Sequence, residues 1–149
     1  MINKNDERIL GMLNKDAKLT SREISEKIGM PVTTVHNRIK KMEKDGIIKK
    51  YTIVVDNKKL GKEISAIVHV MMNSKYMTEN ESAQETLGKK LMTLPEVEDC
   101  YIVTGDSDII IRVSANDVDD LHSFLDRRLR KVGGIEKTVT SIILKKVEI

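Results

Sequence analysis

Two short helical patterns meet at a single glycine near the start of this 149-residue chain. Thr20 and Glu23 have the spacing of a capping box, in which each side chain accepts the free backbone N–H of the other residue. Gly29 ends the helix that follows, where a left-handed residue is favoured. A second pattern then places apolar residues at i, i+4 and i+7 until Gly46. Preceded by a helical pattern over 5–14, these features predict a helix-turn-helix.

The second helix of this motif has a polar face opposite its apolar stripe, which is formed by Val35, Ile39 and Met42. That face carries hydroxyl and amide side chains at the start of the helix and basic side chains behind them, with no acidic residue before Glu43. Such a face suits base edges first and phosphates second, although any surface helix also has a polar face. We therefore expect this helix to contact double-stranded DNA. The base edges should be contacted by Thr33, Thr34, His36 and Asn37, and the phosphates by Lys40 and Lys41. Arg38 is also expected to contact the DNA.

A β-branched run from Ile47 to Val55, bounded by Asp56, follows the motif. Runs of this type are typical of strands, and we predict a strand pair that forms a wing beside the recognition helix. Lys49 and Lys50 would lie at the turn of this wing, within reach of DNA phosphates. Their alternative role is to keep an exposed sheet edge soluble.

Strand and helix periods alternate in the rest of the chain. The order is strand, helix, strand, strand, helix, strand, over 64–72, 81–94, 97–104, 108–114, 117–131 and 135–147. This order is typical of a ferredoxin-like α+β domain with two helices on one face of the sheet. We therefore predict a winged helix-turn-helix domain over 1–61 and a ferredoxin-like domain over 62–149. Because apolar side chains remain on the other face of the sheet, we also predict a homodimer.

Charge and composition narrow the function classes. Residues 1–61 hold 14 Lys/Arg against 8 Asp/Glu and residues 62–149 hold 12 against 15, so only the first domain is basic enough to meet a polyanion. A charged N-terminus, the absence of any apolar run of about 18 residues and a single Cys100 predict a cytoplasmic protein without signal peptide, membrane span or disulfide. His36, His69 and His122 lack metal-ligand spacing, and we expect neither a metal nor a cofactor.

Both domains carry motifs at the spacing of one known family. In the first domain they are Gly29-Met30, Val35, Arg38-Ile39, Glu43 and Gly46-Ile47-Ile48. In the second they are Leu94-Pro95-Glu96-Val97, Cys100-Tyr101, Val103, Gly105-Asp106, Asp108 and Thr138-Val139-Thr140. On these residues the chain resembles the leucine-responsive regulators (Lrp/AsnC, the feast/famine regulators) over essentially its whole length. Two positions depart from the family: Ser107 stands where relatives often carry an aromatic residue, and Pro31 where they often carry a serine cap.

The resemblance implies dimers that assemble into tetramers or octamers, with an amino-acid effector bound between dimers. Matching effector positions lie at the hinge and the last strand: Gly105, Asp106, Asp108, Thr138, Thr140 and Ser141. A loop of backbone N–H groups can hold a carboxylate, and an aspartate can pair with an α-amino group. Asp106 and Asp108 fit equally well as ordinary turn residues.

We therefore interpret the chain as a sequence-specific DNA-binding transcription regulator, modulated by an amino acid or a similar small molecule. One alternative is an enzyme similar to the sirohaem decarboxylases, which resemble the same two-domain layout. A porphyrin pocket should need aromatic and basic residues, whereas this chain has no Trp, one Phe and an acidic second domain. The other alternative is an effector-sensing partner protein without DNA binding, which the polar and basic third helix disfavours.

Overall fold

Three helices form the N-terminal unit of the computed structural model, which describes residues 2–79 and 82–147: α1 (Lys4–Lys15), α2 (Ser21–Ile28) and α3 (Val32–Lys44). The predicted capping box is confirmed, since Thr20 N–H donates to Glu23 Oε2 (2.7 Å) and Glu23 N–H donates to Thr20 Oγ1 (3.2 Å). Gly29 ends α2 with φ +68°, as the sequence predicts. The helices enclose a small apolar core of Ile9, Leu13, Ile24, Val35, Ile39 and Met42.

The predicted strand pair of the wing is wrong for this chain, because residues 47–55 form no β-ladder with any described residue. The backbone N–H groups of Ile47 and Ile48 both donate to the carbonyl of Met42, at 2.9 and 3.1 Å. These bonds tie the start of the run to α3, and the ladder bonds between its two halves that a hairpin requires are not formed. Ile53 and Val54 are consequently 76% and 86% exposed.

The second unit is a four-stranded antiparallel sheet with helices on one face. Its strands are β1 (Ile64–Met72), β2 (Val97–Ile102), β3 (Ile109–Ala115) and β4 (Ile135–Ile142), in the order β2-β3-β1-β4. The helices are α4 (Ser74–Glu79), α5 (Ala83–Leu91) and α6 (Val118–Ser123), the last continuing through a π turn (Phe124–Arg128) and a 3-10 turn (Leu129–Lys131). The predicted ferredoxin-like fold is thereby confirmed. Short α4 was not predicted, and the last strand ends at Ile142 rather than at 147.

The two units divide between Val55 and Asp56, earlier than the boundary predicted after residue 61. A 3-10 turn (Asn57–Leu60) belongs to the second unit, because the Asn57 side-chain amide donates to Glu98 Oε1 and Lys62 N–H donates to the Asn57 carbonyl. Side-chain bonds of this kind cannot be read from local composition.

Strand alternation separates a covered from an open face of the sheet. The covered face of the central strands packs against α5 and α6 through Val68, Val70, Ile109, Ile111, Leu87, Leu121 and Phe124, which are all buried. The open face carries Ile67, His69 and Met71 of β1, with Ile110 and Arg112 beside them on β3. Among the described residues, no helix is long and apolar enough to cross a membrane.

Candidate nucleic-acid interface

The outward face of α3 matches the face predicted from helical periodicity. Val35, Ile39 and Met42 point into the core, so the rest of the helix is turned away from it. Thr34 is half-buried, and the polar side chains that are exposed are Thr33, His36, Asn37, Lys40, Lys41 and Lys44, beside the exposed apolar Val32 at the start of the helix. The start of this face is uncharged and its end is basic. The helix therefore presents short hydrogen-bonding groups first and ammonium groups one to three turns later.

The first turn of α3 also leaves backbone donors free of side-chain caps. Pro31 occupies the N-cap position with φ −57° and ψ 138°, and it has no side chain that accepts a hydrogen bond. The first turn contains no acidic residue. Because the N-terminal N–H groups of a helix carry a partial positive charge, this end of α3 favours an anion. Pro31 therefore leaves α3 without a side-chain cap, and the helix begins at Val32.

Arg38 lies between α3 and α1 rather than on the outward face. Its Nη1 donates to Asp6 Oδ1 at 2.9 Å, and Asp6 is almost fully buried. The Asn3 backbone N–H also donates to Asp6, and this bond together with the Arg38 guanidinium holds the pKa of Asp6 below its ordinary value. Sequence reasoning missed Asp6, although the Asn3–Asp6 spacing is that of a capping box. Arg38 thus has a clear structural partner, whatever its role toward DNA.

Lys40 is paired within the same helix. Its Nζ lies 3.0 Å from Glu43 Oε2, and the other oxygen of Glu43 accepts a hydrogen bond of 2.8 Å from Tyr51 Oη. The Lys40 ammonium, followed by the Tyr51 hydroxyl, lowers the pKa of Glu43 below its ordinary value, so this carboxyl is ionised at neutral pH. Neither Glu43 nor Tyr51 was among the predicted interface residues.

Lys49 and Lys50 lie in the segment after α3, which has no regular secondary structure, and both are exposed. The segment is anchored on either side of them, by Ile48 N–H on the Met42 carbonyl and by Tyr51 on Glu43. These two anchors hold both lysines next to the end of α3. Their position beside the recognition helix is therefore kept without the predicted hairpin.

The predicted effector residues fall into two groups in the second unit. The β2–β3 loop contains Gly105, with φ +118°, the exposed Asp106 and Asp108. Asp108 closes the loop: its Oδ2 accepts the Met72 N–H at 2.7 Å, and its own N–H donates to the Val70 carbonyl at 3.0 Å. The Asp108 carboxylate is thus already used by the backbone. Asp106 has the more accessible carboxylate of the two.

Strand register places the remaining effector residues around β1. Thr138 lies opposite Val70 and Thr140 opposite Val68, so both hydroxyls share the helix-covered side of the sheet. Ser141 lies opposite Ile67 and belongs to the open face. Asp108 and Thr138 therefore flank the same residue of β1, Val70, from either side. The full set of six residues does not line one face of a single chain.

A contact that the sequence did not indicate joins the loop to the open face. His69 Nδ1 lies 3.0 Å from Ser107 Oγ, at the position where the family often carries an aromatic residue. In the described part of the chain, no group of three or more His, Cys, Asp or Glu side chains is placed to hold a metal ion.

A helix-turn-helix unit with a basic recognition face, joined to a ferredoxin-like domain, is typical of a DNA-binding regulator. Comparison with known proteins agrees: residues 2–49 match the family model described as winged helix-turn-helix DNA-binding, and residues 65–148 match the Lrp/AsnC ligand binding domain. The chain belongs to the Lrp/AsnC family of transcriptional regulators.

Relatives and solved structures extend the match to nearly the whole chain. The HTH-type transcriptional regulator FL11 of Pyrococcus furiosus is 34% identical over 140 residues, which cover 94% of this chain and 87% of that protein. The structure of AsnC from Escherichia coli has a TM-score of 0.84 at 28% identity, covering 100% of this chain and 96% of AsnC. A Neisseria meningitidis transcriptional regulator, solved as a complex with L-Met, has a TM-score of 0.89 at 23% identity, covering 100% and 94%. This last likeness concerns the fold.

Proposed function

We propose that this transcription regulator recognises a specific DNA sequence with the first two turns of α3. Lysines later in α3 and in the segment that follows it bind the DNA phosphates. The observation that carries the proposal is the outward face of α3, uncharged at its start and basic at its end. Thr33, Thr34, His36 and Asn37 lie where a helix inserted in the major groove meets base edges. Lys40, Lys41, Lys49 and Lys50 lie where they meet the backbone. Arg38 can add a contact from its solvent-exposed side.

Selection of bound fragments from a random duplex library tests this proposal. The wild type should enrich one sequence, and Asn37→Ala should lose preference at one or two positions, worth about 1–3 kcal/mol of discrimination for a bidentate amide–adenine pair. Asn14→Ala makes the same chemical change on α1 and serves as the matched control. An unchanged preference at every position would refute the role of Asn37. Failure of the wild type to enrich any duplex would refute DNA reading altogether and favour an effector-sensing partner protein.

We further propose that an amino acid or a similar small molecule binds at the β2–β3 loop and modulates DNA affinity, at a contact between dimers. The complex of the related Neisseria regulator with L-Met supports the class of ligand. The Gly105 backbone, the exposed Asp106 carboxylate and the Thr138 hydroxyl offer partners for its carboxylate and ammonium groups. Asp108, Thr140 and Ser141 complete the proposed set, Asp108 by holding the loop in shape. Such a ligand changes DNA affinity only if two assembly states bind it differently.

Calorimetry of the full chain against the twenty amino acids tests the site. Asp106→Ala should abolish the heat of binding, while Asp108→Asn, which keeps an acceptor for Met72 N–H, should weaken it less. Asp119→Ala, an exposed change on α6, is the control. If an amino acid binds the wild type and Asp106→Ala equally well, the site lies elsewhere.

We propose that the open face of the sheet forms a homodimer, which assembles further into tetramers or octamers. Ile67, Met71, Ile110, Tyr101 and Val139 supply the apolar part of this face, which also carries His69 and Arg112, and Tyr101 and Val139 are exposed in the single chain. Two-fold symmetry would then place two α3 helices on half-sites about 34–36 Å, or a multiple, apart. A free Cys100 and a DNA target support a cytoplasmic location.

Sedimentation of the full chain at micromolar concentration tests the dimer. Val139→Glu on the open face should produce monomers, because it would bury an unpaired charge in the interface. Val118→Glu changes another exposed valine, on α6, and should leave assembly unchanged. Dimers that persist in Val139→Glu, or a monomeric wild type, would count against this surface.

A further inference from the structure

Glu43 is the one acidic residue within α3, and it stands among three lysines of the recognition helix: Lys40, Lys41 and Lys44. A carboxylate at this place repels DNA phosphates, so it works against the function proposed for its neighbours. Its two oxygens are nevertheless both engaged. Oε2 lies 3.0 Å from Lys40 Nζ, and Oε1 accepts the hydrogen bond from Tyr51 Oη at 2.8 Å.

Tyr51 makes this arrangement more than a mobile surface ion pair. Its side chain comes from the segment after α3, eight residues along the chain, and its hydroxyl fixes one oxygen of Glu43. Burial, followed by the bond to Glu43, raises the pKa of Tyr51, so the hydroxyl keeps its proton and remains a donor. The Glu43 side chain is 30% exposed, compared with 64% for Lys40. The carboxylate is therefore held in place, and the lysine is the partner that is free to move.

We propose that Glu43 determines specificity by competing with DNA phosphates for Lys40. This inference rests on the proposed DNA-binding function. On a non-matching duplex, α3 has no fixed position in the major groove, and the Lys40 ammonium stays paired with Glu43. On the operator, base contacts from the start of α3 fix the position of the helix, and a phosphate then displaces the carboxylate from Lys40. Because non-specific affinity comes almost entirely from phosphate contacts, withholding one lysine lowers it more than it lowers operator affinity.

The salt dependence of DNA binding distinguishes Lys40 paired with Glu43 from Lys40 in contact with a phosphate. Each phosphate contact contributes about −0.9 to the slope of log K against log salt. Glu43→Gln keeps an acceptor for Tyr51 and removes the charge that holds Lys40. We expect this variant to bind non-specific duplex about two- to fivefold more tightly, within the range that exposed ion pairs support. For this variant, the slope of log K against log salt on non-specific duplex should steepen by about 0.9, the value of one phosphate contact. The slope on the operator should not change.

Three further variants assign the effect. Tyr51→Phe releases Glu43 without removing its charge and should shift non-specific binding in the same direction by a smaller factor. Lys40→Ala combined with Glu43→Gln should gain less over Lys40→Ala alone than Glu43→Gln gains over the wild type, because the competed lysine is absent and only the repulsion between Glu43 and phosphate is relieved. Glu85→Gln on α5 makes the same change of net charge in the second unit and is the matched control.

The outcomes are distinct. A wild type that binds no duplex would overturn the proposed function, and this inference with it. A wild type that binds its operator, with an unchanged non-specific slope in Glu43→Gln, would overturn the inference alone. So would an equal gain in the Lys40→Ala background or in Glu85→Gln, since either would show a general effect of charge. Circular dichroism of each variant confirms that the helices are intact.

Discussion

Replacing Asp6 by asparagine should destabilise the N-terminal unit although Asp6 lies outside the helix-turn-helix itself. The carboxylate makes two bonds at once: Oδ2 accepts the Asn3 N–H at 3.0 Å and Oδ1 accepts from Arg38 Nη1 at 2.9 Å. Asparagine keeps the size and one acceptor oxygen but loses the charge. Arg38 then loses its counter-ion, and in the described part of the chain its buried Nε already has no hydrogen-bond partner.

The size of the effect follows from the geometry. A hydrogen bond to a charged group contributes about 1.5–3 kcal/mol net to the free energy of unfolding. Solvent reaches the Arg38 side chain, which is 29% exposed, and screening places the value in the lower half of that range. We expect Asp6→Asn to cost about 1.5–2 kcal/mol. At roughly 4–8 °C per kcal/mol for a domain of this size, the Tm of the N-terminal unit should fall by about 10 °C.

Urea unfolding followed by far-UV circular dichroism measures this loss, and a double-mutant cycle with Arg38→Met isolates the pair. Because the pKa of Asp6 is lowered in the folded state, its contribution is present above the unfolded value near pH 4 and is lost as the pH falls through the folded pKa. Wild type and Asp6→Asn should therefore differ at pH 7 and converge in acid. A difference below about 0.5 kcal/mol at pH 7, or a coupling near zero, would refute the reasoning. The Arg38→Met variant also tests DNA contact, since loss of a phosphate contact lowers the salt slope by about one.

Three other outcomes can be checked with single variants. Gly134→Ala should lower the free energy of unfolding by more than about 1 kcal/mol, because Gly134 has φ +100° and an added Cβ would lie 2.8 Å from the Tyr76 ring. Gly133→Ala is the control, since a Cβ there meets nothing within 4 Å. Equal Tm values for the two variants would contradict this prediction. Leu87→Ala, in the core of the second unit, should cost about 2–5 kcal/mol in urea unfolding, and a smaller loss would mean that the core collapses around the cavity. Lys50→Ala should weaken binding to all duplexes about equally and reduce the salt slope by about 0.9, so a changed base preference at constant slope would reject a phosphate contact.

Local signals in the sequence were enough for most of the secondary structure. The Thr20–Glu23 box and Gly29 set both ends of α2, because caps depend on residues within one turn. Residues 64–72 read as a strand and form β1 with the same bounds, since period-two alternation is a local property. The outward face of α3 followed from helical period alone. The order of these elements was enough for the ferredoxin-like fold, because few topologies connect them without crossings.

The tertiary structure was needed wherever a side chain chooses between partners that are distant in sequence. The run 47–55 has strand composition, yet the bonds of Ile47, Ile48 and Tyr51 to α3 leave it without a ladder partner. The sequence places Arg38 on the basic recognition surface, but its guanidinium donates a hydrogen bond to Asp6, which lies 32 residues away in the chain. Composition and period state what a residue can bind and which way its element turns. Composition and period do not determine which distant residue becomes the partner, because that depends on how separate helices and strands pack in three dimensions.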